Sequence, residues 1–557
     1  MNHYLNYDLK GIQSFIMAVP KLKYICGASA IVAKFDLEVR NRFGDGNGLV
    51  FAGGGKGTLR FGEETQLHEA KDAMRQMARE EGLTICFGHG SEAGATDETY
   101  SWLPHPSNMD GHPCAVSGLF PVESGEHPLV KRRCKSRREL REGFDRDFLP
   151  SPLSILESLR KRNIPCNRDV RFEFFSNVSP NRNDEPEHDA EFGNDHARAG
   201  AASIGNRNRW AVIAMDGNNI GDQHRAAKTV YEVDSGAHAQ WLDAMSRSLH
   251  ETTVESCRAG IASVVNHWIE HAPIEQVEKA FCDDRGICVL PIRPLIVGGD
   301  DVKIICHAGL ALRLAKAISE QFQQISQTKN RAFEKLNARS LWLATNGELT
   351  ISAGILFAPI HLPLNSAIAY AELLLASAKG GGRELLSEKH EKQVATPACF
   401  DFESVTEGVI WTPALRREKE LVFDDPEMDC TFPVRLHSRP WSLAEFEKLQ
   451  HCVDTYRKIP SNIRAQVLAQ LRSPFFERKA FVARLAKRRD CDNPGTRQLI
   501  EDLTEPPHSN LTAASRSGRW RVRRIGNESY WTTDVVDALL LLEEEARMSI
   551  ETLENES

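Results

Sequence analysis

The sequence predicts an α+β protein: two related β-α-β-β-α-β domains of ferredoxin-like topology, an irregular insertion between them and a mostly helical C-terminal domain. Three observations point there. A pattern occurs twice, in which an apolar strand ends in an aspartate with an isoleucine four positions on (Asp8 and Ile12, then Asp216 and Ile220), followed by a helical stretch and a strand–Gly-Gly–strand hairpin. Residues 88–205, between the copies, are rich in Gly, Pro, Asn, His and charge. From about residue 401 helical periodicity takes over. The predicted domains are therefore 1–105, 106–205, 206–400 and 401–557. A chain of 557 residues has room for several domains at roughly 150 residues each.

In the first copy, Tyr4 to Lys10 is an extended run containing Asp8. Leu22, Ile25, Ala28, Ile31, Val32, Phe35 and Val39 have helical spacing over 22–43. Leu49-Val50-Phe51-Ala52, Gly53-Gly54-Gly55-Lys56 and Thr58-Leu59-Arg60-Phe61 read as strand, glycine turn and strand. A helix over 65–81 and a strand from Leu83 to Phe87 complete the copy. In the insertion, the stretch from Asn177 to Ala202 is polar enough to read as a mobile loop.

The second copy starts with Trp210 to Met215, an apolar strand running into Asp216-Gly217-Asn218-Asn219-Ile220-Gly221. A long helical stretch covers 239–270. Pro294 to Val297 leads into Gly298-Gly299-Asp300-Asp301, and Val302 to Cys306 leads out. Then come a helix over 308–326, a strand from Leu349 to Phe357 and a helix over 365–379. Gly380-Gly381-Gly382 predict the end of that last helix. The tail predicts helices at 442–458 and 463–471, a strand pair near 519–532 and a final helix from Thr533 to Glu554.

Composition excludes several classes. Lys plus Arg is 69 and Asp plus Glu is 77, a formal net charge of −8, which argues against a basic nucleic-acid coat protein. Thirteen cysteines, an odd number over so long a chain, make no disulfide framework and suit a reducing cytoplasm. Met1 to Tyr4 shows no basic region followed by an apolar core, so no signal peptide is expected. No apolar run approaches the 18 or so residues of a membrane span.

The chemistry gathers on carboxylates. In a β-α-β-β-α-β sheet the first strand lies beside the hairpin, so Asp216, Asp300 and Asp301 can converge on one sheet edge. Carboxylate oxygens plus substrate phosphates are what Mg²⁺ takes as ligands, and two such ions can activate a hydroxyl and stabilise a leaving oxygen. Glycines at 298 and 299 let a phosphate approach the backbone. The N–H groups from Gly217 to Gly221 open toward a helix and can cradle a triphosphate. A lone Gly-Gly-Asp is ordinary turn composition; the third acid at the matching strand end sets this pattern apart.

These residues resemble a known family. Asp216 to Gly221, Gly298-Gly299-Asp300-Asp301 and the helix Ala369-Tyr370-Ala371-Glu372-Leu373-Leu374 ending in Ala378-Lys379 look like the polymerase-like large subunit of type III CRISPR effector complexes. Asp8 to Ile16, Gly27-Ala28-Ser29 and Gly53-Gly54-Gly55-Lys56 resemble that family's first, catalytically degenerate palm. The resemblance covers about 1–400 clearly and the tail more loosely. It implies two palm domains and a cyclase that joins ATP into cyclic oligoadenylates in antiviral defence once its complex binds target RNA. It also implies other subunits and a guide RNA as partners. Asp216, Asp300 and Asp301 match its Mg²⁺ or Mn²⁺ ligands, and Lys379 its triphosphate-binding lysine. Gly217, Asn218, Gly298 and Gly299 would line the donor nucleotide; Gly54, Gly55 and Lys56 would line the acceptor.

Two departures stand out. Many members begin with an HD nuclease domain, whereas here the first palm strand starts almost at Met1, so DNA cleavage is not expected. His188-Asp189 falls in the polar stretch and reads as solvated. Asn218 stands where many relatives carry a second aspartate. Weaker signals remain. Cys114 and Cys134, with His112 and His127, are zinc-ligand types in no regular spacing, and two structural cysteines are the plainer reading. Cys26, Cys306 and Cys452 lie on apolar faces and read as core. The basic runs at 131–141 and 516–524 fit either RNA phosphates or a solvated face. Two other functions compete: a GGDEF-like diguanylate cyclase, against which Val302 follows the acids instead of Phe, and a catalytically silent scaffold subunit.

Overall fold

The computed structural model describes residues 3–17, 22–44, 48–90, 98–101, 112–113, 121–122, 152–164, 209–230, 235–271, 274, 277, 292–330, 349–359, 362–388, 395–405, 412–423, 433–473, 477–488, 493–504, 521–525 and 528–546. The basic run at 131–141, the polar stretch at 177–202, Cys114, Cys134, His127 and His188-Asp189 lie outside the described residues, as does the side chain of Cys26.

The first domain runs β1 (His3–Lys10), α1 (Ile12–Met17), α2 (Leu22–Phe43), β2 (Leu49–Gly53), β3 (Lys56–Phe61), α3 (Glu64–Glu81), β4 (Thr84–Gly90) and β5 (Glu98–Ser101). Its sheet order is β2-β3-β1-β4-β5, with β1 antiparallel to both neighbours. The first four strands have the expected ferredoxin-like order. On α2 the residues spaced three and four apart, from Ile25 to Val39, are the buried ones, as an amphipathic helix on a sheet requires. Gly82, with φ of 69°, closes α3 by donating to the Ala78 and Arg79 carbonyls.

Two short strands, β6 (His112–Pro113) and β7 (Pro121–Val122), pair with each other, and α4 (Pro152–Lys161) follows. The second domain runs β8 (Arg209–Gly217), α5 (Ile220–Val230), α6 (Ser235–His271), β9 (Ile292–Gly298), β10 (Asp301–His307), α7 (Ala311–Asn330), β11 (Ile351–Pro359), α8 (Leu364–Glu388) and β12 (Cys399–Ser404). With β15 (Trp441–Ser442) from the tail at one edge, its sheet order is β15-β12-β11-β8-β10-β9, so strands 9, 10, 8 and 11 repeat the order of the first domain. The central strand β8 is apolar on both faces because both faces are covered. Ala211, Ile213 and Met215 join the core beneath α6 and α7. Trp210, Val212 and Ala214 join a second core that continues through α8 into the first domain.

The two domains meet reciprocally: α6 packs on β2, and α2 packs on β9. A Cβ at Gly53 on β2 would stand 2.9 Å from Ser246 Oγ of α6. Each long helix thus lies against the other domain's hairpin.

One expectation is corrected. Helix α8 does not stop at Gly380-Gly381-Gly382 but continues to Glu388. Two of these glycines serve close packing, while Gly380 faces open space. A Cβ at Gly381 would lie 2.4 Å from Pro440 Cγ, and one at Gly382 would lie 2.8 Å from the Pro397 carbonyl. The same helix crosses β11 at Gly354, where a Cβ would meet the Ala371 carbonyl at 2.2 Å.

The tail contains α9 (Pro413–Leu421), β13 (Val422–Phe423), β14 (Val434–Arg435), β15 (Trp441–Ser442), α10 (Phe446–Tyr456), α11 (Ser461–Leu471), α12 (Arg478–Ala486), α13 (Pro494–Thr504), β16 (Arg521–Ile525), β17 (Glu528–Thr532) and α14 (Val535–Ala546). The boundary drawn at 400 falls inside β12, and β15 extends the same sheet by pairing with it. A buried ionic cluster fastens the tail there. Arg417 takes Asp401 bidentately at 2.8 and 2.7 Å and donates to Glu403 at 3.0 Å, and Arg439 reaches Glu403 and Asp537. Burial works against the Glu403 anion, but the surrounding guanidiniums hold its carboxyl well below the usual range. Cys306 and Cys452 are core residues, as expected. No helix among the described residues is long and apolar enough to cross a membrane.

Candidate functional site

The site grows from the register of two strands. Asp301, the first residue of β10, is the Cα partner of Asp216 near the end of β8. In the first domain, Lys56 opens β3 and is the Cα partner of Asp8 on β1. The two hairpins are therefore equivalent by position, with Asp301 where the first domain has Lys56 and Asp300 where it has Gly55.

Turn chemistry differs between the copies. Gly299 has φ of +61°, and both Gly298 and Gly299 have open space where a Cβ would stand. Thr253 of α6, fully buried, sets its hydroxyl 2.6 Å from the Gly299 carbonyl and 2.9 Å from that of Leu249, its one proton shared between them, which fixes the turn from below. In the first domain Gly54 (φ +63°) is exposed and open, while Gly55 (φ +77°) is buried. A Cβ at Gly55 would stand 2.5 Å from Ile12 Cδ1. The Gly55 N–H donates to Asp36 of α2 at 2.9 Å. Burial lifts the Asp36 carboxyl to about 6, against the pull of the Gly55 N–H and Arg40.

The backbone brings the three predicted acids together, and their side chains divide into two sets. Asp300 lies against Asp216, with which it shares a hydrogen bond. Burial first, then the Asp216 charge and that hydrogen bond, raise the Asp300 carboxyl to about 7. Gly217 permits this approach, since a Cβ there would lie 2.9 Å from Asp300 Cβ. Lys379 donates to Asp216 and, at 2.8 Å, to the Gly217 carbonyl. Asp301 turns instead to Lys303, whose Nζ lies 2.9 and 3.2 Å from its two oxygens. Lys303 also reaches Glu372 of α8 at 3.1 Å. Burial lifts the Asp301 carboxyl above the ordinary range while Lys303 opposes the rise. Burial pulls the Lys303 ammonium down, but Asp301 and Glu372 outweigh it and hold it above the usual lysine value.

Among the described residues no three acidic, histidine or cysteine side chains converge as a metal-ligating group. The lysines occupy the carboxylates instead. The pair Asp216 and Asp300 at an open glycine turn still suits a hard divalent cation, the two being close enough that like charge raises Asp300.

Asn218, expected beside the donor nucleotide, is tied to the neighbouring strand. Its side chain donates to Thr350 Oγ1 at 2.8 Å and accepts from Ser352 at 3.0 Å, and its N–H donates to the Thr350 carbonyl at 2.9 Å. Both groups are engaged in holding the end of β8 to the start of β11. Gly55 likewise gives its N–H to Asp36, whereas Lys56 is 63% exposed and 3.9 Å from Asp8. Asp8 is also paired with Lys10.

Sequence reasoning missed Lys303, Thr253 and Asp36, and assigned Glu372 no role. Lys303 left a signal: a single charge in the apolar run Val302 to Cys306, two residues from Asp301 and thus on the same strand face.

Residues 209–387 match the family described as Cas10/Cmr2, second palm domain. Among solved structures, the chain is similar to a Csm1-Csm4 cassette in complex with cA3, at 14% identity over 98% of this chain and 69% of that one, with a TM-score of 0.44. It is also similar to Csm1 in T. onnurineus, at 13% identity over 98% and 69%, TM-score 0.43. A Csm1-Csm4 cassette in complex with pppApA gives 13%, 98%, 69% and 0.43 on the same measures. No curated protein matches the sequence.

Proposed function

We propose, from the premise that residues 209–387 are a Cas10/Cmr2 second palm domain, that this chain is a metal-dependent nucleotidyltransferase. It joins ATP into cyclic oligoadenylates of the kind seen bound to Csm1-Csm4 cassettes. The observation that carries the reading is the Asp216–Asp301 register pair, with Asp300 set against Asp216 at an open Gly-Gly turn.

Two nucleotides would meet where the domains face each other. The donor triphosphate lies along Gly298 and Gly299, where nothing fills the Cβ positions, with Lys379 free to leave Asp216 for phosphate. The acceptor lies at the first domain's turn beside Gly54 and Lys56, both exposed. The acceptor 3′-hydroxyl oxygen bonds to the donor α-phosphorus as the bond to the β-phosphate oxygen breaks. Pyrophosphate leaves, and the hydroxyl proton passes to a carboxylate or to water. A divalent cation at the acids supplies Lewis-acid charge for this transfer. The chain's own groups orient: Thr253 holds the Gly299 turn, and Gly217 gives Asp300 its place beside Asp216. Other type III subunits, with guide and target RNA, are the proposed partners and trigger.

The test is product analysis. The chain, with its partner subunits and target RNA where these are required, is incubated with ATP and Mg²⁺ or Mn²⁺. Cyclic or linear oligoadenylate plus pyrophosphate is expected, with none in EDTA. Full activity in chelator, or product from GTP alone, overturns the reading.

A further inference from the structure

The two lysines at the acids are not equivalent. Lys379 is 23% exposed and touches Asp216 and one carbonyl. Lys303 is 2% exposed and touches both oxygens of Asp301 and one of Glu372. A lysine buried that far, held between two carboxylates on different elements, has no path to follow a phosphate. It stays on Asp301. Asp301, Lys303 and Glu372 therefore form a bridge from the first residue of β10 to α8. Seven residues further along α8, two helical turns on and on the same face, Lys379 makes the second connection, to Asp216. Gly354 and Gly382 bring α8 into close backbone contact with its neighbours, and Gly381 seats it on the Pro440 ring.

We propose that the two aspartates of the Gly-Gly turn have different jobs: Asp300, with Asp216, faces the cation, while Lys303 and Glu372 reserve Asp301 as a positioning residue that locks the turn to α8. This rests on the metal-dependent reading above and divides its acid cluster. Ligating carboxylates are commonly fixed by a further layer of hydrogen-bonding groups, whose loss costs 10–100-fold in affinity or activity. Here the ammonium covers both oxygens of one acid and neither oxygen of the other pair's Asp300.

Mn²⁺ affinity of the full-length chain without nucleotide, read by electron paramagnetic resonance of free Mn²⁺, tests the division. Asp300→Asn should weaken binding about tenfold or more, and Asp301→Asn should leave it within threefold of wild type. Lys303→Met should tighten binding threefold or more, because Asp301 is then released toward Asp216. The double variant Lys303→Met/Asp301→Asn should return to within threefold of wild type. Asp301→Asn as weak as Asp300→Asn makes Asp301 a ligand and overturns the proposal. So does Lys303→Met binding no tighter, or a gain that survives in the double variant. If Lys303→Met does not fold, the two aspartate variants decide alone. A wild-type chain that binds no Mn²⁺ sinks the metal reading and this one with it. A chain that binds Mn²⁺ but makes no product from ATP sinks only the cyclase reading.

Discussion

Two hairpins with one topology carry opposite chemistry in this molecule. In the second domain the register partner of the strand aspartate is another aspartate, Asp301 against Asp216. In the first it is a lysine, Lys56 against Asp8. The neighbouring position is an acid in one, Asp300, and a buried glycine in the other, Gly55. One turn concentrates negative charge, and the other neutralises its single acid with Lys10 and Lys56. The comparison teaches that the repeat preserves the turn and its register and changes the charge the turn carries. The supports diverge too: a carboxylate from α2 accepts the Gly55 N–H, while a hydroxyl from α6 donates to the Gly299 carbonyl.

The largest effect that would break this comparison is on product. Replacing Asp300 and Asp301 together by alanine should abolish oligoadenylate formation, a loss of about a thousandfold or more, on the scale of removing an electrostatic centre. Asp8→Ala should cost about tenfold or less, because the acid it removes already sits between two lysines and makes no acidic pair. Initial rates at equal folded concentration decide. An Asp8→Ala chain as inactive as the double variant reverses the assignment of donor and acceptor.

A smaller effect sharpens it through stability. Gly55→Ala forces a side chain into left-handed backbone 2.5 Å from Ile12 Cδ1, at a cost of about 1–3 kcal/mol. Gly298→Ala meets open space at ordinary φ, and about 0.5 kcal/mol or less is expected. Urea unfolding followed at both domains should show that difference; equal losses would mean the first turn is not the tighter one.

The last effect is a pH dependence at the second domain's turn. The Asp300 carboxyl is raised to about 7 in the folded chain, so ionising it destabilises the fold. That penalty is absent below the ordinary value of 3.8, grows as pH rises, and is complete above about 7. In metal-free buffer Asp300→Asn should therefore melt higher than wild type above pH 7, with the gap closing toward pH 4. A gap that stays constant with pH removes Asp300 from the acidic pair.

Most secondary elements were legible because their signals are local. The buried positions of α2 are those its 3.6-residue spacing marked, and both hairpins formed at their glycine runs. The repeat itself was legible because the aspartate, the isoleucine and the glycines keep their order. The glycines at 380–382 were misread because a helix-ending glycine and a close-packed helical glycine look alike in one dimension. What separates them is Pro440 and Pro397, which are remote in sequence. The partners of the Asn218 side chain were not legible either, because Thr350 and Ser352 lie more than a hundred residues away.

The sequence by itself determined where the acids and glycines fall along each strand and turn, since strand period, turn geometry and the two-fold repeat are properties of neighbouring residues. Only the tertiary structure decided which acid has which partner. Carboxylates are identical in sequence and differ in what burial leaves beside them. Asp300 meets another acid across one strand, and Asp301 meets a lysine held by a helix some seventy residues on. Coulomb energies in a buried site depend on separations of a few ångströms, and those separations are set when α8 settles on the sheet.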